Sequence, residues 1–127
     1  MNKNTFLIEL SESPKTDFGR VDFNKQSPVQ RVFSAIWALE SEVNSGGFSH
    51  YFSSSEKDTA PFAPAALRTI GALKCAAIVE AALQVGAAGD TSAFDEEFMA
   101  YPDNLTDLLF NYVGSHPEVF GAVGQVA

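Results

Sequence analysis

The sequence predicts an all-α fold: a single compact multi-helix domain preceded by a short irregular N-terminal arm. Three observations carry that prediction. Apolar residues recur at helical spacing in several separate runs. Helix-start and helix-stop residues punctuate those runs. No segment alternates convincingly as a strand, with Phe6 to Leu10 as the one ambiguous stretch. At 127 residues, 46% of them hydrophobic and eleven of them Phe, the chain has the apolar area for one real core.

Residues 1–27 form the arm, loosely attached, polar after the run Phe6–Leu10 and punctuated by Pro14 and Gly19. The helical domain spans 28–120, and 121–127 is a frayed tail. Ser27 before Pro28 is a favourable helix start, a hydroxyl cap followed by a residue whose φ is already helical. Val29, Val32, Phe33, Ile36, Leu39 and Val43 then mark one buried face, with Trp37 beside it and Glu40 on its rim. That helix closes at Asn44 or Ser45, because Asn and Gly accept the left-handed conformation that ends helices. After Gly46-Gly47, Phe48, Tyr51 and Phe52 lie at i, i+3 and i+4 and predict a short amphipathic helix. The stretch "SSSEKDTAPFAP" reads as a loop. Pro64 opens a helix through Leu67 and Ile70, Gly71 is a joint, and the Ala-rich "ALKCAAIVEAALQV" is the next helix. Gly86 to Thr91 is a turn, and "TSAFDEEFMAY" is a short helix with Ser92-x-x-Asp95 as its capping arrangement. Pro102 starts another, with Leu105, Leu108, Leu109, Tyr112 and Val113 facing inward, and His116-Pro117 ends it.

Charge is distributed unevenly. All eight Lys and Arg lie at or before Lys74, balanced there by eight acids; from Cys75 onward there are eight acids and no Lys or Arg, so the net charge of −8 resides in that part. Direct binding of DNA or RNA needs the opposite sign. An acidic face attracts a basic partner or simply keeps the chain soluble. Helix-start chemistry accounts for Asp95, Glu96, Glu97, Asp103 and Glu118, since carboxylates are stabilised near helix N-termini. It does not account for the missing bases, and Asp103 with Asp107 forms an uncompensated like-charge i, i+4 pair. Asp95, Glu96, Glu97, Asp103 and Asp107 are therefore the expected partner-binding residues; the orientation of Glu80 and Asp90 depends on packing. No run reaches the length of a membrane span. The N-terminal apolar patch is too short for a signal peptide, and a single Cys fits a reducing compartment, so the expected location is cytoplasmic.

The string Val43-Asn44-x-Gly46-Gly47-Phe48-x-x-Tyr51-Phe52 resembles the signature of a bacterial family of small acidic helical proteins that includes a DNA mimic, a protein that binds a transcription factor in place of DNA. The likeness continues in Ala66-Leu67, in Ile70-Gly71-Ala72, in Phe94 to Phe98, in Leu105, Leu108, Leu109 and Tyr112, and in His116-Pro117-Glu118. Where the family often places Asn soon after Tyr-Phe, this sequence has Ser53 to Ser55. The resemblance implies an all-α domain, pairing of members as homodimers, and an acidic surface offered to a basic, DNA-binding protein.

Other chemistries find weaker support. The Gly-rich corner could present N–H donors to an anion, but the nearest bases in sequence are Arg31 and Lys57, and no nucleotide-binding spacing is present. The structural reading is that Asn44 closes a helix, Gly46 and Gly47 permit close packing, and Phe48, Tyr51 and Phe52 bury. The alternative to an interaction module is an enzyme or small-molecule binder with a pocket near Asn44, His50 and Tyr51. His116 suits a helix C-terminus, and Cys75, amid Ala and Ile, reads as an inert buried thiol. The two His and "DEEF" match neither a zinc nor a calcium pattern. The expectation is a non-enzymatic protein with no catalytic residues, no metal and no cofactor.

Overall fold

The computed structural model describes residues 1–123. Among the described residues it is all-helical. The α-helices are α1 (Lys3–Glu12), α2 (Pro28–Ser53), α3 (Ala63–Ile70), α4 (Leu73–Val85), α5 (Ser92–Met99), α6 (Leu105–Gly114) and α7 (Pro117–Phe120). Short 3₁₀ segments occur at Phe23–Lys25 and Lys57–Phe62. The second of these lies in the stretch expected as a loop. It is held by Thr59, whose hydroxyl donates to the Glu56 carbonyl and shares a 2.6 Å hydrogen bond with the buried Tyr51 hydroxyl.

The spine is α2. The Ser27 side chain accepts from the Gln30 N–H, Pro28 occupies the first helical position, and the apolar stripe follows: Val32, Phe33, Ile36, Leu39 and Val43 are all buried. Helical dihedrals break only at Gly46 (φ −158°, ψ 15°) and Gly47 (φ 78°, ψ −178°), after which the helix resumes through Phe48, Tyr51 and Ser53. Gly47 is the position that demands glycine, since its φ is strained for any residue with a Cβ. Against α2 pack α3, α5 and the 3₁₀ segment Lys57–Phe62; α4 packs on α3 and α5, and α6 contacts α1, α3 and α7. Leu67, Val79, Phe98, Leu105, Leu109, Val113 and Phe120 complete one continuous core, each large side chain contributing about 1.5–3 kcal/mol by burial.

Two sequence expectations change. Phe6 to Leu10, ambiguous in sequence, is helical, and α1 is docked rather than loose: Leu7 and Leu10 are buried in the core and Phe6 meets Phe110 edge to face. Asn2 starts it by accepting from the Thr5 N–H at 2.8 Å. The helix expected from Pro102 begins at Leu105, where the Asn104 side chain accepts from the Asp107 N–H. Tyr101, at φ 59°, assists: its hydroxyl accepts from the Thr106 N–H at 2.8 Å. Of the expected frayed tail, 124–127 lies outside the described residues; Gly121 follows α7 directly.

Candidate interaction surface

The five expected partner-binding carboxylates occupy different environments. Asp95 lies in the first turn of α5 but does not cap that helix; Thr91 is the residue at its start, and Ser92 is engaged with Asp90. The Asp95 side chain instead crosses to the α2 kink. Its Oδ1 accepts from the Phe48 N–H at 2.8 Å, its Oδ2 accepts from the Thr91 hydroxyl at 3.5 Å, and a Cβ on Gly47 would stand 2.4 Å from Oδ2. The helix start after Gly46-Gly47 thus holds an anion, and that anion is the chain's own Asp95. Asp103 does the same for α4, which has no side-chain cap of its own: its Oδ2 accepts from the Cys75 N–H at 2.8 Å. Because α6 starts after Asp103, Asp103 and Asp107 are not an i, i+4 pair on one helix. Asp107 is paired with Lys3 at 3.2 Å and accepts from the Asn104 amide. Glu96 and Glu97 are exposed, with no ion pair among the described residues.

A family model described as DMP19-like protein matches residues 24–116. The chain belongs to that family. The match takes in α2 to α6 with the Gly-Gly corner, while α1 and its Lys3 lie outside it. No curated protein and no solved structure matches the chain.

Across this DMP19-like chain the sequence asymmetry of charge is partly cancelled in space. Lys3 reaches Asp107, and Arg68 pairs with Glu80. Neither was legible in sequence, because each pair joins two different helices whose packing no local pattern states. Asp90 is fully solvated and held below the usual carboxylate range by hydrogen bonds from the Ser92 hydroxyl and N–H. The negative groups left outward among the described C-terminal residues are Asp90, Glu96, Glu97 and Glu118. The same part of the chain has exposed apolar side chains: Leu73 at the start of α4, Met99 at the end of α5, and Tyr101 after it, the first and last only two residues from the Cys75–Asp103 hydrogen bond.

The residues of the alternative pocket are not brought together. Tyr51 is fully buried against Phe52, its phenol pushed well above the usual range, by burial first and then by Glu56 and Glu42, with the Thr59 hydrogen bond opposing. His50 is 47% exposed and its Nε2 lies 2.6 Å from Glu42 Oε2. Asn44 is exposed on another cleft, beside Trp37 and Glu40. A larger groove of about 640 Å³ lies between Phe18–Gln26 and Ser55–Thr59 and includes none of the three. Its buried polar groups satisfy one another, Ser34 donating to Gln26 and Gln26 to the Val21 carbonyl. The Cys75 thiol, fully buried, is pushed up to about 12, mostly by burial, and stays protonated and unreactive at neutral pH. The His116 ring hydrogen-bonds the Tyr112 carbonyl at the end of α6. Among the described residues no group of three or more His, Cys, Asp or Glu could hold a metal ion, and no helix is long and apolar enough to cross a membrane.

Proposed function

We propose that this domain is a non-enzymatic interaction module whose acidic surface engages a basic, DNA-binding protein in place of DNA. The observation that carries the reading is the pair Glu96 and Glu97: exposed on α5 without a neutralising partner, in a part of the chain that has no Lys or Arg of its own. Membership of the DMP19-like family supports the same reading. Asp95, Asp103 and Asp107 add to the negative field while being fixed in position by the Phe48 N–H, the Cys75 N–H and Lys3. Like-signed carboxylates at fixed spacing speed encounter with a cationic surface and reject anionic ones. Leu73, Met99 and Tyr101 supply apolar contact that slows release. Homodimer formation belongs to the same proposal and is read by light scattering.

The test is affinity capture from lysate of the source cell, eluted with a salt gradient and, separately, with double-stranded DNA. The wild type runs beside a Glu96→Gln, Glu97→Gln variant, chosen because neither side chain supports the fold. The expected result is a DNA-binding protein that both salt and DNA displace from the wild type and that the variant no longer retains. Identical capture by both proteins, or a partner indifferent to DNA, would overturn the reading.

A further inference from the structure

On the other side of the kink, α2 presents Trp37, Glu40 and Asn44 along one face to a cleft of about 160 Å³. Asn4 and Leu7 of α1 and Thr106 of α6 close it. Its volume is that of roughly five waters. The Glu40 carboxyl is only partly exposed, and among the described residues it accepts no hydrogen bond and joins no ion pair. A carboxylate so withdrawn from water is costly unless a cation or donor reaches it. Lys3, next to Asn4 on α1, is already bonded to Asp107 and lies over the Phe110 ring. Trp37, stacked on Phe33, borders the same cleft and offers a ring system that attracts cations. Asn4, Asn44 and Thr106 carry oxygens that accept from an N–H. An anion would meet Glu40 with like charge, and a purely apolar group would leave the carboxyl unsatisfied.

We infer that this cleft binds an alkylammonium group, either a free small amine or a lysine side chain, paired to the Glu40 carboxylate with the Trp37 ring beside it. The inference needs neither Glu96 nor Glu97 and stands apart from the interaction reading. Burial places Glu40 at about 7. Next in sequence to the lining residues Asn4 and Thr106, Lys3 and Asp107 are paired with each other, and the Cys75 thiol, whose backbone N–H is held by Asp103, feels the Glu40 charge. An ammonium group pairs with the ionised carboxylate, so binding expels the proton and strengthens as pH rises through 7.

The experiment is a titration of the full-length ¹⁵N-labelled chain, followed by NMR, with n-butylammonium chloride and with Nα-acetyl-lysine methylamide. Sodium chloride at equal ionic strength and n-butanol are the controls. We expect saturable shifts at the Trp37 indole and the Asn44 side-chain amide, with a Kd on the order of 1 mM for so small a ligand. Affinity should be roughly tenfold higher at pH 8 than at pH 6, following the ionised fraction of Glu40. Glu40→Gln, close in shape and without the buried charge, should keep the native spectrum and lose both the binding and its pH dependence. Tighter saturation by the lysine derivative assigns the group to a protein lysine, and equal or tighter saturation by butylammonium assigns it to free amines; either supports the site. No saturation by either ligand at pH 8, equal shifts with n-butanol, a wild-type affinity flat from pH 6 to 8, or undiminished binding by Glu40→Gln would overturn it.

Discussion

The helix starts that a side chain closes are of two kinds. The starts of α1, α2 and α6 are closed by a neighbour in sequence, Asn2, Ser27 and Asn104, each accepting from an N–H three residues on. The restart of α2 at Phe48 and the start of α4 have no such neighbour and are closed by carboxylates 47 and 28 residues away. The first kind fixes where one helix begins. The second kind also fixes how two helices stand to one another, because the same hydrogen bond ends a helix and joins it to another part of the chain. Two acids that look like surface charge are thereby structural, and only their neighbours are free to face a partner.

The largest expected effect tests the tighter of the remote closures. Gly47→Ala places a Cβ against Asp95 in a backbone conformation that disfavours any side chain, and should cost about 3 kcal/mol in urea unfolding. Combined with Asp95→Ala, the two losses should fall short of their sum by about 1–2 kcal/mol, since the clash and the hydrogen bond share one carboxylate. Next, Asp95→Ala and Asp103→Ala each leave an N–H on a fully buried residue unmatched and should each cost about 2 kcal/mol. Ser27→Ala and Asn104→Ala, the local closures, should cost about 1 kcal/mol by the same measurement. If the remote pair proved no more costly than the local pair, the distinction would collapse. Smallest of all, Glu96→Gln and Glu97→Gln should stay within about 0.5 kcal/mol of wild type, so that any loss of partner binding reports the surface and not the fold.

A pH series separates Glu40 from these carboxylates. Burial raises its pKa from the ordinary 4.5 of a solvated glutamate to about 7 in the folded state. Between those two values the folded state holds the proton more tightly, so stability falls as pH rises, and the loss is complete above pH 7. Glu40→Gln should remove that loss, gaining about 2 kcal/mol over wild type at pH 8 and little at pH 4, as read by unfolding midpoints.

The same division explains what was legible. The start of α2 was readable because cap, proline and apolar stripe are contiguous from Ser27. The Gly-Gly corner was readable as a break in a helix, yet one of the two reasons Gly47 must be glycine, the Asp95 carboxylate against it, sits on α5. Asp95 and Asp103 were correctly placed near helix starts, but it was the wrong helices that suggested them; the beneficiaries are the second half of α2 and α4. Pro102 outweighed Asn104 in sequence because proline is the stronger mark, whereas the fold uses Asn104 together with Tyr101. Docking of α1 depends on Phe6 meeting Phe110 of α6 and on Leu7 and Leu10 entering the core, which no local pattern states. Glu40 was visible only as a rim residue, since its cleft exists once α1 and α6 close over it.

The kink in α2 also has a consequence in time. Its first half carries its own cap and can form as a local helix within about a microsecond. The second half gains its closing hydrogen bond only after a loop of 47 residues has been drawn shut, and contacts of that span form late in folding. Loosening the Asp95 anchor therefore shortens the life of the folded molecule while hardly delaying its formation. The acidic helix governs how long the spine stays bent, and so how long any surface built upon it endures.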